Sequence, residues 1–138
     1  MDTFQLHILA ASSVFYEGPC ESLVVPTPDG RRGVMAHHSN AIAAISPGEL
    51  SYTIPGEKPR LAAVSYGMIK IEDNHVLVLV ETAEKPEDID RIRTQQKADA
   101  AREAMLQKQS RREYLETQAQ LVRALNRLRV KHHSENLD

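Results

Sequence analysis

A single cysteine, Cys20, stands in the 138 residues. That excludes an intrachain disulfide and any multi-cysteine zinc site, and leaves a reduced, cytoplasmic setting as the expectation. Long apolar runs are missing as well. In the first twenty residues the longest, Ile8 to Ala11, is about half of what the core of a signal peptide typically needs, so no export signal is expected. Nowhere does an uninterrupted apolar stretch approach the roughly twenty residues that span a bilayer, so direct membrane insertion is not expected and any membrane contact runs through a protein partner. A domain-wide basic excess is lacking too, and the formal charge of -2 argues against a general nucleic-acid binder.

The usual signatures of a reaction centre are equally scarce. Gly30-Arg31-Arg32-Gly33 has the wrong spacing for a phosphate-binding glycine fingerprint and follows a turn instead of opening a helix. No nucleophile elbow or paired-carboxylate motif stands out, so catalysis by this chain alone is not expected. His37-His38 and His132-His133 invite a metal. Adjacent side chains on a strand point to opposite faces, however, and no acidic or cysteine ligand sits at a helpful helical spacing, so these histidines read as solvated or partner-facing.

What is present, at 41% hydrophobic, suffices for one core plus an accessory element. Up to about Lys85 the chain consists of short apolar runs: Phe4 to Leu9, Val14 to Tyr16, Ser22 to Val25, Gly33 to Met35, Ile42 to Ile45, Glu49 to Ile54, Leu61 to Val64, Met68 to Ile71 and Val76 to Val80. Pro28-Asp29-Gly30, Pro47-Gly48, Pro55-Gly56 and Asp73-Asn74 separate them with turn-forming residues. Phe4 to Ile8 and Leu50 to Ile54 alternate apolar with polar, so each strand has one wet face. Nine to ten short strands with polar outer faces bury their apolar faces best in a β-sandwich, predicted here over residues 1–85.

Past Lys85 the pattern changes to helix. Pro86 suits a first helical turn, and Glu87, Asp88 and Asp90 place negative charge near its positive end. The period then puts Ile89, Ile92, Ala100 and Ala104 on one stripe, with Ala98, Ala101 and Met105 beside it. Ser110 to Glu113 fits a capping box that opens a second helix at 111, running to about Val130. Its inner stripe is Tyr114, Leu121, Leu125 and Leu128, with Ala119 and Val122 alongside. Residues 86–138 thus form an antiparallel two-helix hairpin with a frayed tail from about 132, and the fold class is α+β. An apolar face made mostly of alanine buries little area, so the hairpin is expected to be mobile and to need a docking partner. Between Lys108 and Lys131, Lys108, Arg111, Arg112, Arg123, Arg127, Arg129 and Lys131 face only Glu113 and Glu116, and this stretch suits an acidic partner.

In this order the residues resemble the epsilon subunit family of the F-type rotary ATP synthases of bacteria and chloroplasts. The resemblance rests on Val24-Val25-Pro26-Thr27 leading to Asp29-Gly30, on Gly33-Val34-Met35 with His38, and on Pro47-Gly48-Glu49-Leu50. It continues through Val64-Ser65 with Gly67, Val78 to Glu84, Ile89 to Arg93 and Leu121 to Leu128. It implies a non-catalytic central-stalk subunit that needs no cofactor. Such a subunit binds the gamma subunit, sits on the membrane rotor ring of c subunits, and couples proton-driven rotation to ATP synthesis in the catalytic head. By that similarity Thr27, Asp29, Gly30, Arg31 and Arg32 are candidate ring contacts and His38 lies near gamma. The hairpin would inhibit ATP hydrolysis when extended, its basic side chains Lys108, Arg111, Arg112, Arg123 and Arg127 meeting an acidic segment of the catalytic beta subunits beside alpha.

Some members of that family bind ATP as a regulatory ligand in the folded hairpin, and Ile89, Asp90, Arg93, Arg123 and Arg127 match the positions they use. Thr94 stands where that motif has alanine, and Ala100 where some members carry a basic residue. Met35-Ala36-His37-His38 replaces the family's frequent Leu-Pro-Gly-His, and Tyr66-Gly67 its Gly-Gly pair. The resemblance places the chain at the cytoplasmic face of a bacterial membrane in preference to a chloroplast thylakoid. Two other functions fit the residues: a free-standing nucleotide-sensing switch, and an RNA-binding adaptor using the basic helix, the latter opposed by the lack of aromatics interleaved with the arginines beyond Tyr114.

Overall fold

Phe4, Leu6 and Ile8 are buried while Gln5 and His7 are not, the period of two that the sequence predicts for β1 (Phe4–Ala10). Further strands follow in a computed structural model that describes residues 2–106 and 110–137. They are β2 (Ser13–Cys20), β3 (Ser22–Thr27), β4 (Gly30–Met35), β5 (Ala41–Ile45) and β6 (Gly48–Thr53), then β7 (Arg60–Val64), β8 (Gly67–Glu72), β9 (His75–Val80) and the short β10 (Ala83–Glu84). Among the described residues these ten strands make two five-stranded sheets, ordered β2-β1-β9-β8-β5 and β10-β7-β6-β3-β4. Neighbouring strands are antiparallel except β1 and β9, which run parallel with Gln5 opposite His75 and Ala10 opposite Val80.

The core lies between the sheets. Leu6, Ile8, Ile69, Ile71, Val76 and Val78 come from one, and Leu23, Val25, Val34, Leu50, Tyr52 and Val64 from the other. Each fully buried aliphatic side chain contributes about 1.5–3 kcal/mol by leaving water. Asp73 and Asn74, with φ of 50° and 63°, form the two-residue turn between β8 and β9, where the left-handed backbone matches the strand twist. The Asn74 side chain donates to Thr3 O at 3.0 Å and accepts from His37 N at 2.8 Å, and Asn40 Oδ1 accepts from Asp73 N at 3.1 Å. His37 and His38 therefore sit in a pinned loop, not on a strand as the metal argument assumed, and His37 has a φ of 64°.

The chain divides into two units, Met1–Glu84 and Lys85–Asp138. In the second, Pro86–Asp88 forms only a single 3-10 turn, and the backbone is extended at Ile89 and Asp90. The first helix, α1 (Arg91–Met105), begins later than predicted, with the Asp90 carboxylate accepting from Arg93 N at 3.0 Å as its cap. This break resets the helical phase. Thr94, Ala98 and Ala101 form the buried stripe, while Ile92 is 73% exposed and Ala100 is exposed. The stripe predicted from Ile89 and Ile92 was counted through residues that are not helical.

The capping box predicted for α2 (Arg111–Asn136) is present: Ser110 Oγ accepts from Glu113 N at 3.2 Å, and Glu113 Oε2 accepts from Ser110 N at 3.3 Å. Helix α2 does not fray at 132 but runs to Asn136. No Gly or Pro interrupts it, Arg91 pairs with Glu135, and the Asn136 amide contacts His132 Nε2 at 3.1 Å. The Arg91–Glu135 pair marks where the start of α1 meets the end of α2. Counting equal rises back from it, α1 runs beside α2 only as far as about Leu121. The first turns of α2 extend beyond Met105, which is why Tyr114, predicted on the inner stripe, is exposed. Ala124, Asn126 and Val130 are buried, Leu121, Leu125 and Leu128 are half-buried, and Val122 is exposed.

Candidate functional site

The five residues matched to ATP binding occupy two places on the hairpin. Ile89 is buried, and Asp90 and Arg93 are exposed at the start of α1, where the Asp90 carboxylate already caps the helix. Arg127 and Arg123 lie on α2 about 12 Å and 18 Å along the axis from Glu135, the residue facing Arg91. The set is therefore elongated, with an acidic acceptor at one end and two guanidinium groups along the other. Arg123 is exposed and Arg127 half-buried.

The basic residues predicted to meet an acidic partner are spread along α2. Arg111 is exposed at its first turn, and Arg112 is exposed but pairs with Glu116 one turn on, Nε to Oε1 at 3.3 Å. Lys108 lies outside the described residues. An exposed i,i+4 pair is worth less than about 1 kcal/mol, so Arg112 can exchange Glu116 for another carboxylate at little cost.

The predicted ring contacts sit at one end of the sandwich. Pro28 and Asp29 form a two-residue turn between Thr27 and Gly30, whose φ of 121° only glycine adopts readily. Thr27 Oγ1 donates to Gly30 O within that turn, at 2.6 Å. Arg31 is exposed and reaches Glu49 at 3.5 Å, whereas Arg32 is half-buried. His38 is at the opposite end, its Nδ1 2.7 Å from Ser39 O.

One feature escaped the sequence reading, which expected polar outer faces. On the sheet β2-β1-β9-β8-β5 the register aligns Ala44 with Met68, Met68 with Leu79, Leu79 with Leu9 and Leu9 with Val14. The inward partners on these strands are Ile45, Ile69, Val78 and Ile8, so the row faces outward. Val14 at its end is 59% exposed, and Ile42, two residues from Ala44 on the same face, is 68% exposed. The signal was in His75–Val80, an uninterrupted apolar run from Val76 onward, which marks a strand with both faces to cover.

Comparison with known proteins accounts for this arrangement of a ten-stranded sandwich and a helical pair. The beta-sandwich domain of the ATP synthase delta/epsilon chain matches residues 3–86. The ATP synthase epsilon chain of Caldicellulosiruptor saccharolyticus is 35% identical over 138 residues, 100% of each chain. The chain belongs to the ATP synthase delta/epsilon chain family. Another epsilon chain relative, ATP synthase epsilon chain 1 of Methylococcus capsulatus, is 34% identical over 93% of this chain and 91% of its own. The full-length epsilon match includes the hairpin as well as the sandwich. The same fold occurs in the Euglena gracilis mitochondrial ATP synthase, with a TM-score of 0.81 at 20% identity over 99% of this chain and 82% of that one. A chain of the Tetrahymena thermophila ATP synthase central stalk and c-ring gives 0.59 at 8% identity over 94% of each. In this epsilon chain family member, none of the described helices is long and apolar enough to cross a membrane.

Proposed function

We propose that this chain is a non-catalytic rotor subunit of a bacterial ATP synthase at the cytoplasmic face of the membrane. Its sandwich fastens to the gamma subunit and to the c-subunit ring, so that proton-driven rotation is passed to the catalytic head. The observation that carries this reading is the outward row Ala44, Met68, Leu79, Leu9 and Val14. Five strands that already share a buried core display a second apolar surface, and such a surface on a small subunit marks a protein contact. Gamma would cover that row and the loop bearing His38, and the turn Thr27, Asp29, Gly30, Arg31 and Arg32 would meet the ring.

The hairpin is the regulatory part of this reading. Arg111, Arg112, Arg123 and Arg127, with Lys108, would meet acidic side chains of the catalytic beta subunits beside alpha, and rotation in the hydrolysis direction would have to break those pairs. Several partly desolvated pairs resist far more than one exposed pair. ATP bound between Asp90 and the arginines of α2 would favour the folded hairpin by differential affinity.

Pull-down with purified gamma, followed by ATPase assays of the reconstituted complex with and without residues 86–138, tests assembly and inhibition together. The expected result is retained assembly and faster hydrolysis on truncation. A chain that fails to bind gamma, or hydrolysis that does not change, overturns the corresponding half of the reading.

A further inference from the structure

The loop between β4 and β5 is exposed at His37, Ser39 and Asn40, yet it is held at several points. His37 takes a φ of 64° where the family's frequent Leu-Pro-Gly-His has glycine, so a residue with a β-carbon occupies left-handed backbone there. Such a conformation lasts only where surrounding bonds fix it, and it gathers at the working parts of proteins. The fixing group is Asn74, in the turn between β8 and β9. Its Oδ1 accepts from His37 N at 2.8 Å and its Nδ2 donates to Thr3 O at 3.0 Å, while Asn40 Oδ1 accepts from Asp73 N at 3.1 Å. One side chain from each loop thus reaches the backbone of the other. The clamp is itself seated on β1, because Gln5 N donates to Asn74 O at 3.1 Å. Within the loop, His38 N donates to Met35 O at 3.3 Å, and the half-buried His38 ring is oriented by Nδ1, 2.7 Å from Ser39 O. A carbonyl can only accept, so the ring proton is on Nδ1, and the neutral imidazole keeps Nε2 as an acceptor that no other described residue engages.

We propose that Asn74 is the positioning residue of the His38 contact. By locking His37 it holds the loop in one shape, and His38 Nε2 is thereby presented as the acceptor for a hydrogen-bond donor on gamma. This rests on the reading that gamma covers the loop bearing His38, and goes beyond it by naming the group that sets the loop's shape and the chemistry offered there. A loop ordered before docking has less freedom to lose on binding, so the clamp contributes affinity without touching the partner. The remaining link, His37 Nε2 to Asp2 Oδ2 at 3.3 Å, joins two side chains that are largely in water and adds little to the hold.

The test uses the full chain and purified gamma, with Asn74→Gly, His38→Ala and the double variant. Glycine suits the φ of 63° at position 74, so Asn74→Gly deletes both side-chain bonds and leaves the two-residue turn intact, and its circular dichroism should match that of the parent chain. Amide exchange at His37 should accelerate by about tenfold or more. Each single variant is expected to weaken gamma binding by about tenfold, and the double variant by little more than His38→Ala alone, because Asn74 acts through His38. Where His38→Ala does weaken binding, three results would each overturn the positioning role and leave docking through the loop standing. They are a His37 amide that exchanges as in the parent, an Asn74→Gly chain that binds like the parent, and losses that multiply to about a hundredfold in the double variant. If His38→Ala binds like the parent, docking through this loop falls and takes the positioning role with it.

Discussion

Cys20 shows how one buried group ties stability to pH. Its thiol donates to Ser22 O at 3.0 Å inside the core, and burial pushes its pKa above the ordinary 9.0. A folded-state value raised above the unfolded one means that the stabilisation is complete below pH 9 and is lost as the pH climbs through the folded value. Urea unfolding should therefore show a fall in stability above pH 9 that Cys20→Ala reduces. Burial also raises Tyr16, so part of the slope should survive in that variant. Gly67 makes a steric prediction: Gly67→Ala should cost several kcal/mol, whereas Gly33→Ala, with nothing near its added β-carbon, should stay within about 0.5 kcal/mol. Neither glycine announces this difference in the sequence. The demand on Gly67 comes from the Leu79 carbonyl on β9, twelve residues away along the chain.

Elements bounded by local chemistry were legible. Asp73-Asn74, the alternation in Phe4–Ala10 and the reciprocal Ser110–Glu113 bonds all depend on residues a few positions apart. The burial stripe of α1 was not, because the extended residues Ile89 and Asp90 break the count that sequence periodicity assumes is continuous. Ser110→Ala should cost about 1 kcal/mol and loosen the first turns of α2, read as faster amide exchange there. Asp90→Ser separates two roles of one carboxylate. Serine retains the cap, so the helical signal should persist, while any stabilisation of the chain by millimolar ATP should disappear if the carboxylate recognises the nucleotide. Ala98 is fully buried and Ile92 is not, so Ala98→Leu should destabilise the hairpin by roughly 1–3 kcal/mol and Ile92→Lys should be near neutral, as thermal unfolding would show.

At the scale of the whole molecule, the principal core cluster lies within the first unit. A chain cut after Glu84 should accordingly keep a β-rich circular dichroism spectrum and a single cooperative transition. The division into strands and helices was readable from composition shifts near Lys85, but the order of strands in each sheet was not. Neighbouring strands usually pair, and nothing near Phe4–Ala10 points to His75–Val80 as its parallel partner. That one pairing governs when the sandwich can close. During synthesis the first strand must wait, paired on one side at most, until residues through Val80 have left the ribosome. Translation stalled before His75 should leave a protease-sensitive intermediate, exposed to the hazards of any chain that is nearly complete and still open.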